Sequence, residues 1–116
     1  MIFTGIMRGF SLAGEGQYET IGAFWDEMAG IYGLENLRGL GYKWSGGVIY
    51  YAIGLADGEI AGWNFRAELP DGGWTTVTGR TDGLKEIYDR IYTDGPLTYE
   101  IETFFENGDC RIEYYR

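Results

Sequence analysis

The chain has 116 residues, enough for one domain and too few for two of ordinary size. Its net charge of −9, with the nine Lys and Arg scattered, excludes a nucleic-acid footprint and disfavours anionic membrane surfaces. It contains no histidine, which removes the usual catalytic triads, most transition-metal sites and the standard general base.

A hydrophobic content of 45% against 23% charged residues reads as a soluble globular protein. The densest apolar run, residues 48–55, is too short to span a bilayer. No basic region followed by a clean apolar stretch marks a signal peptide. One cysteine, Cys110, excludes an intrachain disulfide and fits a reducing compartment, so the cytoplasm is expected. Ten Tyr and four Trp exceed what a core this small needs, and such rings line pockets for flat organic ligands.

Residues 1–12 read as a strand in which Ile2, Ile6, Phe10 and Leu12 share one parity. Gly14-Glu15-Gly16 ends it. Tyr18, Ile21, Trp25, Met28 and Tyr32 then recur at helical spacing, widened by Phe24 and Ile31, with Gly33 as the residue past the helix end. Gly22 and Gly30 inside this helix suggest close packing against another element. Residues 35–47 read as a loop. Residues 48–55, apolar on both faces, read as a central strand. Asp57-Gly58 is a hairpin signal, and Trp63, Phe65, Ala67 and Leu69 alternate with polar residues as a half-buried strand. Pro70–Gly73 is a turn, and residues 74–80 form a Thr-rich strand. Asp82 can cap a helix whose buried face is Leu84, Ile87, Tyr88, Ile91 and Tyr92, ended by Gly95-Pro96.

The chain closes on a hairpin. Asn107-Gly108 between alternating runs predicts a type I′ turn. That turn sets Phe105 opposite Cys110, Phe104 opposite Arg111 and Glu102 opposite Glu113. Ile101, Thr103, Phe105, Cys110, Ile112 and Tyr114 would share an apolar face. Glu102 and Glu113 would face each other among Phe104, Arg111 and Tyr115. Opposed like charges destabilise a ladder. Water, Arg111, a shared proton or a bound cation would have to compensate.

The predicted class is α+β: two βαββ halves, residues 1–70 and 71–116, related by a pseudo-twofold axis. Their strands merge into one antiparallel sheet with two helices on one face, and a cleft between halves is the natural ligand site.

That order, with the segments Gln17–Met28, Val48–Leu55, Gly83–Tyr92, Ile101–Phe104 and Ile112–Tyr115, resembles the GyrI-like small-molecule-binding domain, the effector-binding module of some bacterial transcription activators. Glu102 with Phe104, and Glu113 with Tyr115, match the family's pattern of an acidic residue followed two positions on by an aromatic. The chain is shorter than that pattern, and the proline after the last strand is absent. With no DNA-binding helices ahead of the domain, a stand-alone binder is expected. The resemblance implies a pocket for hydrophobic, often cationic molecules, with Glu102 as the buried counter-ion.

The candidate ligand-binding residues are thus Glu102, Glu113, Tyr115, Trp63, Trp25, Tyr50, Tyr51 and Phe104. For the carboxylates the competing reading is a solvated outer face shielded by Arg111. For Trp25, on a regular helical stripe, it is core packing. Cys110, without a histidine to activate it, reads as a buried thiol and not a nucleophile. No cofactor is expected: there is no EF-hand spacing and no phosphate-cradling loop. The expected partner is a small hydrophobic or cationic molecule. A hydrolase on the same scaffold, and a module that pairs as a homodimer through a sheet edge, remain open.

Overall fold

The computed structural model describes residues 1–13 and 16–116, without the side chains of residues 16–18. The Gly14-Glu15 break and the place of Tyr18 on the helical stripe lie outside the described residues. Seven strands and two helices follow in the order β1 (Ile2–Ser11), α1 (Gly16–Tyr32), β2 (Arg38–Ser45), β3 (Val48–Ala56), β4 (Phe65–Glu68), β5 (Thr75–Arg80), α2 (Leu84–Thr93), β6 (Tyr99–Phe104) and β7 (Asp109–Tyr115). The strands form one antiparallel sheet ordered β4-β1-β3-β2-β6-β7-β5. Among the described residues no helix is long and apolar enough to cross a membrane.

β3 is paired on both edges, and Ile49, Tyr51, Ala52 and Ile53 are buried, as a run apolar on both faces requires. Odd residues of β3 face α1, where Tyr51 and Ile53 pack with Phe24, Trp25 and Met28. The opposite face buries Ala52 with Phe3, Leu40 and Ile101. A row of rings crosses that second face: Tyr42 lies edge-on to Phe65 at 4.8 Å and stacks on Tyr99 at 5.9 Å. Trp74 continues the row to Tyr115 at 5.6 Å.

Four local expectations are corrected. Residues 35–47 are not a loop, because residues 38–45 form β2. Glycines at alternate positions, Gly39 and Gly41, erase its hydrophobic alternation. Gly46 and Gly47, at φ 59° and 77°, form the two-residue turn into β3. Asp57-Gly58 does not open a hairpin. Asp57 binds back to the start of β1, its N–H to the Ile2 carbonyl and its carboxylate to the Ile2 N–H, and β4 pairs with β1. The two strands that follow α1 in the sheet interior are therefore β2 and β3, with β4 an added edge on β1. Asp82 sits in a 3-10 turn, and α2 starts after Gly83 without a side-chain cap. Gly22 and Gly30 are not close-packed, since a Cβ at either would meet nothing within 4 Å, and Ile31 is 65% exposed.

The largest correction is the register of the last hairpin. Gly108 alone has positive φ, 88°, and its N–H donates to the Phe105 carbonyl at 3.0 Å. The Phe105 N–H donates in turn to the Asp109 carbonyl, and the Asn107 side-chain oxygen accepts from the Asp109 N–H. The loop is thus three residues with Gly108 at the bulge, where a type I′ turn would have two. One extra residue moves every pair: Glu102 partners Ile112, and Glu113 partners Ile101.

Candidate functional site

The shifted register gives β6 and β7 a shared face of Glu100, Glu102, Phe104, Cys110, Ile112 and Tyr114. Both helices meet this face at one carboxylate. Tyr88 of α2 donates its hydroxyl to Glu102 Oε2 at 2.8 Å. On the other side the Tyr51 hydroxyl donates to Glu102 Oε1 and accepts from Trp25 Nε1 of α1 at 2.8 Å. Both helices therefore lie on one face of the sheet. Between them runs a cleft of about 600 Å³ floored by β3 and β6.

Two glycines of β2 make the floor wide enough. Gly39 is the cross-strand partner of Glu102, and Gly41 that of Glu100. A Cβ at Gly39 would collide with the Tyr51 hydroxyl and lie 2.7 Å from the Trp25 ring. One at Gly41 would lie 2.7 Å from Glu100 Oε1.

Glu100 and Glu102 project from one strand face at alternate positions, and each is only 6% exposed. Glu100 Oε2 accepts from the Tyr92 hydroxyl at 3.1 Å. The described residues lining the cleft include three more carboxylates, Asp26, Asp89 and Glu106, and no lysine or arginine. Two buried carboxylates therefore have hydroxyl donors but no counter-ion. Burial and the neighbouring Glu102 push the Glu100 carboxyl up to about 8. Burial also raises Glu102, opposed by the hydrogen bonds from Tyr51 and Tyr88 that favour its charged form. The two titrate as a unit. Burial and the Glu102 charge hold the Tyr51 and Tyr88 phenols well above their ordinary range, so both remain donors.

The rest of the lining is apolar. Trp25 meets Phe104 edge-to-face, with centroids 4.9 Å apart at 89°. Ile21, Leu34 and Ile49 close one end, and Trp44, 36% exposed, stands at the rim. Among the described residues no three His, Cys, Asp or Glu side chains gather closely enough to hold a metal ion.

Of the eight residues singled out in the sequence, Glu102, Trp25, Tyr51 and Phe104 come together here. The other four do not. Glu113 faces the other side of the sheet, 3.5 Å from Arg111. Tyr115 lies there too, against Trp74. Tyr50, 38% exposed, points away from the cleft beside its buried neighbour Tyr51. Trp63, 41% exposed, precedes β4 and takes no part. Glu100, Tyr88 and Tyr92 were missed as site residues. The two-residue spacing of Glu100 from Glu102, and the four-residue spacing of the two tyrosines on a helix, were the available signals. Cys110 is buried, as expected, but opposite Phe104 rather than Phe105. Burial raises its thiol pKa.

Comparison with known protein families, with curated proteins and with solved structures finds no match.

Proposed function

We propose that the protein binds small hydrophobic cations in the cleft between α1 and α2, with Glu102 as the buried counter-ion. One observation carries this reading: a carboxylate pair 6% exposed at the floor of an aromatic cleft, with no basic residue in its described lining. A cation would supply the missing charge, and Trp25 and Phe104 would contribute ring contacts. Cation–π attraction adds roughly 0.5–2 kcal/mol per ring when desolvated.

The order of strands supports reading the fold as two βαββ halves about a pseudo-twofold axis. β1-β3-β2 on one side of the sheet corresponds to β5-β7-β6 on the other, each with one helix, meeting at the β2–β6 pair. We read the whole as a short GyrI-like domain of a bacterial cytoplasm.

The test is a calorimetric titration with a flat lipophilic cation and a neutral analogue of equal size, on wild type and Glu102→Gln. Cation-selective binding that weakens about tenfold or more in the variant supports the reading. Equal binding of cation and neutral, unchanged by the substitution, overturns it.

A second reading, hydrolysis of an electrophilic small molecule, is favoured by the same pair. A carboxyl titrating at about 8 can take and give a proton near neutral pH. Consumption of the ligand during the titration would select it.

A further inference from the structure

We propose that the cleft is built for organic ligands carrying two cationic centres, one held by Glu102 and the other by Glu100. The inference rests on the cation-binding reading above and names its ligand class. Alternate residues of a strand face the same side and stand roughly 6.6 Å apart along it. That is the spacing of two charged groups on a rigid two-ring frame, not of two oxygens chelating one ammonium.

The two carboxylates are also unequally satisfied. Both oxygens of Glu102 accept hydroxyl hydrogen bonds, whereas Glu100 accepts on Oε2 alone, and among the described residues no donor reaches its Oε1. Gly41, opposite, lets that oxygen lie against the β2 backbone, since a Cβ there would stand 2.7 Å from it.

The charge balance points the same way. The other titratable groups lining the cleft among the described residues are Tyr51 from β3, Tyr88, Tyr92 and Asp89 from α2, Asp26 from α1 and Glu106 from the hairpin. None is basic. A monocation at Glu102 leaves Glu100 either protonated or charged and buried without a partner, and the second state is costly. A dication compensates both carboxylates at once. The walls beside the pair are ring faces and edges, which suit a flat aromatic frame.

The experiment uses three ligands of nearly one shape: methyl viologen, a rigid bipyridinium dication; N-methyl phenylpyridinium, its monocation; and neutral phenylpyridine. Affinities are measured by calorimetry at neutral pH on wild type and Glu100→Gln, with near-ultraviolet circular dichroism confirming that the variant is folded. Methyl viologen should bind wild type at least about tenfold tighter than the monocation. Glu100→Gln should remove that preference, so that the two cations bind the variant within about threefold of each other. Equal binding of the two cations to wild type overturns the proposal without any variant, and so does a preference that survives Glu100→Gln. If neither cation exceeds phenylpyridine, the cation-binding reading itself fails, and this inference with it.

Discussion

Gly39 stands directly across the β2–β6 ladder from Glu102, and the volume its side chain would fill is occupied by the Tyr51 hydroxyl. The carboxylate, the phenol that binds it and the indole behind them fit together because one strand position has no Cβ. Gly39→Ala is expected to destabilise the protein by about 1–3 kcal/mol through overpacking, read as a lower denaturant midpoint. Gly30→Ala is the control. A Cβ there meets nothing, so helix propensity should add up to about 1 kcal/mol of stability. Equal effects of the two substitutions would sink the argument.

Stability should fall as pH rises. The folded Glu100 carboxyl sits at about 8 against an ordinary value of 4.5, so the folded state holds a proton that the unfolded chain has released. The stabilisation is full below about pH 4.5 and is lost as pH climbs to about 8. The loss is bounded at about 5 kcal/mol, from 1.36 kcal/mol per pH unit, and water entering the cleft reduces it. Thermal melts across that range should show a declining midpoint in wild type and a flatter profile in Glu100→Gln. A midpoint rising over the same window would contradict the burial argument.

Tyr51→Phe leaves Trp25 Nε1 without its acceptor and Glu102 Oε1 without its donor. Each unpaired buried group costs about 1–3 kcal/mol, so a loss of about 2–6 kcal/mol is expected at pH 8, where Glu102 is more often charged. The loss should shrink in acid, where a neutral Glu102 carboxyl loses less by its missing donor than a charged one. A pH-independent loss would mean that the hydroxyl matters for packing alone.

Glu113→Gln should leave cation affinity within about twofold of wild type and change stability by less than about 0.5 kcal/mol. Its carboxylate is partly exposed, faces away from the cleft and pairs with Arg111, with Arg38 also near it. A tenfold loss of affinity in this variant would return the site to the other side of the sheet.

The sequence was legible where apolar periodicity was uninterrupted. Val48–Ala56 and the α2 stripe at Ile87 and Ile91 announce a central strand and an amphipathic helix, and both are present. β2 was illegible because Gly39 and Gly41, the residues that make room for the carboxylates, also remove the alternation that marks a strand. Glu102 could be identified as a site residue, yet its true neighbour could not. Asn-Gly is compatible with loops of two or three residues, and the choice between them decides which acid lies beside it. Tyr115 failed for the same reason: parity on a strand is known only once the turn is.

That three-residue loop makes the identity of the binding surface hostage to the turn type chosen at Asn107-Gly108. A type I′ turn at Asn107-Gly108, with no residue changed, would instead pair Glu106 with Asp109. With β6 held by β2, such a turn would rotate β7 so that Glu113 and Tyr115 enter the cleft while Cys110 and Ile112 leave it. The same amino acids thus admit two chemically different cavities, and the turn type chooses between them. An exchange of turn type here would reach further into ligand choice than any substitution on the cleft wall.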